Sequence, residues 1–417
     1  MVRSIRKLAL IAGITSVLGS TTFKLSHAQN LAAAWPFNGG QAPVAKWFQP
    51  TAVLNVVTNA SIGAKGDGKT DDTKALQLAL NVSHQYEIVY LPKGTYLISE
   101  PLACPTYKGG ITSRHHLQGE RPDEVTILLK DKSESFQDAS NSVAMFECGH
   151  GVAQSFANFV FGITFNTGTD NPGATGIRFQ ANNVGSIRDV AIFSGDGQGV
   201  AALDMAYSDE IGPLLVSNLW TRGFEVGFIT GNNVDSQTGE HWLIEAPTKA
   251  CIVNLGQVLS LRGLNCKATE TTIGALQDVG DANNIAMTTL IDSNITYSPS
   301  FNHDVVYSGD PFGLLSNPGQ VHVPVPLRAA ARGAGSTNAS VPAGINGTHA
   351  MWHIRNVNVE GYNLSVLADS VWNGPPPPPP ACTNCTQFEG VQIEGNNIFD
   401  EQGYPPVQCC MQCHKWN

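Results

Sequence analysis

One short pattern returns along most of this chain and limits what it can fold into. It reads apolar-x-x-apolar-x-apolar, and it first stands out as Ile187–Ile192 (IRDVAI). It recurs at Val216–Thr221, Glu240–Glu245, Leu261–Cys266, Ile291–Thr296, Ile354–Val359 and Phe388–Ile393. Successive copies start mostly about 20 to 30 residues apart, the period of a solenoid coil, and the alternation inside each copy marks strands rather than helices. A second strand family falls between them, at Gly176–Phe179, Ala202–Met205, Val226–Ile229 and Cys251–Asn254. Two strand families, each in register with itself, predict a parallel β-solenoid in which neighbouring coils bury one another's apolar positions.

The stretch Ser61–Ser99 predicts how that solenoid begins. Gly63, Gly66 and Gly68, with Asp67 and Lys69, make a turn-rich loop. Thr70-Asp71-Asp72-Thr73 offers capping oxygens and early negative charge to a helix from Asp72 to about Val82. Leu76, Ala79 and Leu80 stand at helical spacing on its apolar side. Glu87–Leu91 reads as a strand, Pro92-Lys93-Gly94 as a turn and Thr95–Ile98 as a second strand. The acids Asp67, Asp71 and Asp72 read as turn and cap residues, and the helix as a plug on the solenoid's end.

The order AKGDGKTDDTKALQ, then LPKGTYLIS, resembles the N-terminal entry of the pectate-lyase-like right-handed β-helix proteins. It is most similar to the branch holding rhamnogalacturonase/epimerase-like proteins and the family 55 glucanases. The resemblance implies an all-β fold, a single-stranded right-handed parallel β-helix with a short N-terminal capping helix. It also implies action on polysaccharides, in a groove along one face walled by long loops. The carboxylate motifs of the polygalacturonase-type hydrolases and the aspartate-rich calcium site of pectate lyases are not recognisable here.

The first 28 residues read as a secretory signal: Arg3, Arg6 and Lys7, an apolar run from Leu8 to Leu18, then Ser26-His27-Ala28 as a cleavage site. Without them the charge moves from −10 to −14, as 20 basic residues face 34 acidic ones. That balance argues against nucleic acid and anionic membranes as partners. Asn59, Asn81, Asn294, Asn338, Asn346, Asn363 and Asn384 stand in N-x-S/T sequons, sites for N-glycans on a secreted or cell-wall protein. Nine cysteines in an exported chain imply disulfides: Cys104, Cys148, Cys251 and Cys266 in the body, the other five in the tail.

The organisation follows. Residues 29–58 are a lead-in whose Trp35, Phe37, Trp47 and Phe48 are expected to pack across the end of the solenoid. Residues 59–373 are the β-helix, with an excursion over 297–351 that is rich in Pro, Gly and Ala. Residues 374–381 are a polyproline spacer, and 382–417 a cysteine-rich tail with room for a last coil.

Two constellations carry candidate chemistry. The central coils from Gly195 to Glu245 are dense in acids, as glycoside hydrolysis requires: one carboxyl donates a proton and another activates water or attacks. Asp204, Asp209 and Glu210 are the first candidates, with Glu240 as a fourth. Stacking of the repeat would align Arg188, Ser217, Glu240 and Arg262 in one outward ladder, beside Asp189, Asn218, His241 and Gly263. Arg188 and Arg262 would hold a uronate carboxylate and His241 would take a proton, as lyases and epimerases need, with Trp242 on the same strand as a further substrate contact. No phosphate loop, HExxH or GxSxG is present.

The expectation is a secreted glycoside hydrolase with paired carboxylates, acting on an extracellular or cell-wall polysaccharide and requiring no metal or cofactor. The alternatives are a polysaccharide lyase or epimerase, for which Ca²⁺ would be the natural cofactor, and a non-catalytic carbohydrate-binding or wall protein.

Overall fold

A computed structural model of the chain describes Pro36, Phe37 and Gly40, then residues 53–106, 111–149, 154–207, 211–231, 236–268, 275–279 and 286–297. Beyond these it describes the strands at 343–348, 350–362, 364–369, 391–394 and 398–401. The chain winds as a right-handed parallel β-helix. One sheet has nine strands, from Leu102–Ala103 through Val143–Cys148, Ala174–Phe179, Ala201–Met205, Val226–Gly231, Ala250–Leu255 and Leu276–Val279 to Ala343–Thr348 and Leu364–Asp369. The other has sixteen, and its middle strands are long, among them Ser186–Phe193, Leu214–Arg222, Ser236–Glu245 and Val258–Ala268.

Each long strand bends at one residue, which turns this second sheet into two faces. The bend falls at Asp189, Asn218, His241, Gly263, Asp292 and Asn356, all with φ between 50° and 72°. Gly adopts this left-handed conformation freely, and Asn, Asp and His adopt it more readily than other residues. The corner residues support one another: Asn218 Nδ2 donates to Asp189 Oδ1 (2.7 Å), and Asn356 Nδ2 donates to Asp292 Oδ1 (2.9 Å). Three outer faces result: that of the nine-stranded sheet, and those before and after the bend. They are called here the first, second and third faces.

Register makes the core. Leu102, Phe146, Ile177, Leu203, Phe228, Ile252 and Leu276 stack coil upon coil under the first face. Val160, Ile187, Val216, Gly239, Leu261 and Leu290 stack under the second. Gly239 is the gap in that row, and Trp242 fills it: a Cβ at 239 would stand 2.5 Å from Leu261 Cδ1 and 2.6 Å from Trp242 Cζ2. Among the described residues two disulfides staple the interior, Cys104–Cys148 and Cys251–Cys266.

The N-terminal stretch folds as its spacing predicts, with differences at its acids. The helix runs Thr73–Val82 and buries Leu76, Ala79 and Leu80. Ile88–Leu91 and Gly94–Ile98 are the two strands. Asp67–Asp71, expected as loop and cap, is instead a strand paired with Gly94–Ile98. Asp72 stands at the cap position but makes no side-chain cap bond. Its buried carboxylate reaches back to the N–H groups of Lys65 (2.7 Å) and Gly66 (2.9 Å), closing the glycine loop. Gly66 has φ 59°, and its carbonyl lies 2.7 Å from where a Cβ on Gly94 would be, so two glycines allow the crossing.

Three other expectations change. Phe37 does not pack across the end of the solenoid. It is buried on the third face against Ala191, Phe193, Trp220 and Leu243, because those outward positions are themselves apolar. Trp35, Trp47 and Phe48 lie outside the described residues. Part of the stretch read as an excursion is regular coil: Ala343–Thr348 pairs with Leu276–Val279, and its Gly- and Ala-rich composition hid the alternation. A further coil strand, Val391–Glu394, pairs with the strand at Ala350–Tyr362, whereas the polyproline run and the tail cysteines fall outside the described residues.

Candidate active site

The first face carries a charged row across three adjacent strands. Glu147, Arg178 and Asp204 are direct neighbours in register, and the row continues through Ile229, Val253 and Gln277. All six are half-buried. They point outward because Phe146, Ile177 and Leu203, one residue earlier on each strand, belong to the core. Arg178 Nε donates to Asp204 Oδ2 (3.2 Å), and its Nη2 donates to the carbonyl (2.9 Å) and hydroxyl (3.0 Å) of Ser142. Asp204 Oδ1 also accepts the N–H of Ala206 (2.9 Å).

Tyr207 completes the group. Its ring centre lies 5.9 Å from the Arg178 guanidinium carbon, and its hydroxyl donates to the carbonyl of Gly149. Burial pushes its pKa well up, the charges of Glu147 and Asp204 push the same way, and Arg178 opposes them. Glu147 and Asp204 thus straddle a guanidinium. Their backbones stand two strand spacings apart, about 9.5 Å at the usual parallel separation.

Of the residues singled out from sequence, Asp204 lies in this group. Asp209 and Glu210 follow Tyr207 in the chain but lie outside the described residues. Glu147, Arg178 and Tyr207 were missed. A signal for two of them existed: MFE, GIR and ALD occupy the same place in successive copies of the first-face strand, so the charges at their third positions must stack.

The ladder residues lie on a different face. Arg188, Ser217, Glu240 and Arg262 stand in one outward row of the second face, in the register that the repeat predicts. They do not converge on one another. Arg188 leans over the Phe161 ring (5.7 Å to its centre), and Arg262 Nε turns to Asp292 Oδ2 (3.1 Å). His241 occupies the bend, with φ 54°. Trp242 is not a substrate contact: it is fully buried, it donates to the Val216 carbonyl (2.9 Å), and it packs edge-on against Phe228. One residue beyond the bend, the strand turns that position inward, so the gap at Gly239 receives the ring.

The third face holds a buried ion cluster that no spacing announced. Glu245 Oε2 accepts hydrogen bonds from Trp220 Nε1 (2.8 Å), Arg222 Nε (3.2 Å) and Arg222 Nη2 (2.7 Å). Lys267 Nζ lies 3.7 Å from Glu245 Oε1. The side-chain exposure of Glu245 is 0 %, so the cluster is shielded from solvent. Burial pulls Lys267 down to about 8, against the raising influence of Glu245. Among the described residues no three His, Cys, Asp or Glu side chains converge to hold a metal ion.

These features meet those of known proteins. The sequence pattern of the rhamnogalacturonase A/epimerase, pectate lyase-like proteins matches residues 54–273, more than half of the chain. The chain belongs to that family. It is a family of polysaccharide-active enzymes. A probable glucan endo-1,3-beta-glucosidase of Arthroderma benhamiae is 36 % identical over 89 residues, 21 % of this chain and 9 % of that protein. Alginate lyase 7 of Azotobacter vinelandii is 41 % identical over 71 residues, 16 % of this chain and 8 % of that one. The matched stretches therefore span less than a tenth of either relative. Among solved structures, the iota-carrageenase of A. fortis superposes with a TM-score of 0.43 at 11 % identity, over 90 % of this chain and 94 % of that one. A likeness of that degree says nothing of activity.

Proposed function

We propose that the chain is a secreted glycoside hydrolase that cleaves an extracellular or cell-wall polysaccharide on the first face. The observation that carries this reading is the row Glu147–Arg178–Asp204, two carboxyl groups in register on either side of one guanidinium. Asp204 accepts hydrogen bonds from Arg178 and Ala206 that suit an ionised carboxylate, so it is assigned the role of base. Glu147, on the far side of the guanidinium, is assigned the role of acid. In the step proposed, Glu147 gives its proton to the glycosidic oxygen as the bond from that oxygen to the anomeric carbon breaks. Asp204 takes a proton from the water whose oxygen bonds to that carbon. Inverting enzymes hold their carboxyls roughly 6.5–9.5 Å apart, and side chains from backbones about 9.5 Å apart can meet that distance.

Asp209 and Glu210 follow directly on Tyr207 and belong to the same proposal as further acids of the site. N-glycans on the exposed Asn81 and on other sequons, and export through the first 28 residues, go with it. A lyase would need a base for the sugar C–H. Tyr207 is the ring hydroxyl beside Arg178, but its raised pKa and its bond to Gly149 weigh against that use. Reducing-end release is the assay. Asp204→Asn and Glu147→Gln should each lower it by about 10²-fold or more while leaving the circular dichroism unchanged. Full activity in both variants would refute the assignment, and products absorbing as unsaturated uronates would replace it with a lyase. The double variant Asp209→Asn/Glu210→Gln tests the two following acids in the same way.

A further inference from the structure

The charge along the first face points to the kind of polymer that fits there, an inference that rests on the site proposed above. Glu147 and Asp204 flank Arg178, and Asp204 pairs with its guanidinium, so that part of the row carries no excess positive charge. Arg178 is the one cation among the described residues of the row. Its Nε is held by Asp204, and its Nη2 by both oxygens of Ser142. Beyond Asp204 the row turns neutral, with Ile229 and Val253 half-buried and outward-facing and Gln277 after them. Five strand spacings separate Glu147 from Gln277, about 24 Å, which is the length of an oligosaccharide segment.

We infer that this face takes a neutral polysaccharide, not a uronate or sulfated one. A polyanion laid along it would lose hydration at every charged ring and meet one guanidinium that is already neutralised. The chain's net charge of −10 opposes its approach as well. A neutral chain loses nothing of that kind. The C–H faces of its rings can lie on Ile229 and Val253, while its hydroxyls hydrogen-bond the Glu147 and Asp204 carboxyl groups and the Gln277 amide.

Affinity electrophoresis of the full secreted chain tests this, in gels containing a soluble neutral β-glucan, polygalacturonate or alginate. The neutral polymer should retard the protein, and raising NaCl from about 0.05 to 0.5 M should change its retardation less than twofold. Ile229→Lys/Val253→Lys, which alters only outward positions, should weaken that retardation at least tenfold with unchanged thermal stability. Preferential retardation by either anionic polymer, or retardation by none of the three, overturns the inference. The two readings fail separately. Retention on the neutral polymer without release of reducing ends removes the hydrolase and leaves the substrate class. Reducing ends released from polygalacturonate keep the hydrolase and remove the substrate class.

Discussion

Lys267 offers the sharpest test of the tertiary structure. Its ammonium shares the third face with Arg222 and Glu245, so two cations meet one buried carboxylate. Burial above all, with a smaller push from the charge of Arg222, lowers its pKa from 10.5 to about 8, because Glu245 offsets only part of the loss. The unfolded chain therefore holds the Lys267 proton more tightly than the folded one. Stability should rise with pH between about 8 and 10.5, and the penalty should be fully present below 8. A shift of that size corresponds to roughly 3 kcal/mol, at about 1.4 kcal/mol per pH unit. Lys267→Met removes the excess cation and leaves Glu245 with Arg222 and Trp220. The variant should match or exceed the wild type at pH 7, and lose the advantage by pH 10.5. Urea unfolding of both proteins at half-unit steps from pH 7 to 10.5 isolates the effect, because every other lysine and tyrosine is common to the two. Parallel pH profiles would refute the reasoning. So would a variant destabilised by several kcal/mol at pH 7, which would mean that the ammonium is a needed partner of Glu245.

Asp278 should act with the opposite sign. It is buried in the interior, where it accepts from Thr288 Oγ1 (3.1 Å), and burial raises its pKa well above 3.8. The wild type should thus lose about 1.4 kcal/mol per pH unit from pH ~4 upward until the folded carboxyl ionises, and Asp278→Asn should flatten that slope in guanidinium titrations. Opening Cys251–Cys266, whose cysteines are 15 residues apart, should cost about 3 kcal/mol, and opening Cys104–Cys148, 44 apart, about 4 kcal/mol, read as shifts of the denaturant midpoint in Cys→Ser variants. Gly239→Ala should cost about 1–3 kcal/mol in the same assay, since its methyl would press on Leu261 and Trp242; an unchanged midpoint would mean that the ring has room to move.

Local pattern carried the fold a long way. Strand alternation at a constant period needs no knowledge of neighbours, because each copy repeats the same demand for burial and the coils satisfy it by stacking. The outward ladder of Arg188, Ser217, Glu240 and Arg262 was legible for the same reason: identical spacing within each copy places identical positions side by side. The entry helix was equally readable, since Leu76, Ala79 and Leu80 meet the core through a period set by the helix alone.

What the tertiary structure decided was the far side of each bend and the partner of each charge. The left-handed residue at His241 reverses the expected facing, so Trp242 goes into the core and leaves Arg188, His241 and Arg262 without an aromatic platform from that strand. Asp72 bonds to Lys65 and Gly66 instead of its own helix, because the glycine loop brings their N–H groups within reach. Glu147 and Arg178 look like isolated charges within their own strands, and they stand beside Asp204 once the copies MFE, GIR and ALD are laid coil upon coil. Periodicity in the sequence determines which residues stack; which way a side chain faces beyond a bend, and which neighbour a charge turns to, depends on where the backbone turns, and no local pattern specifies that.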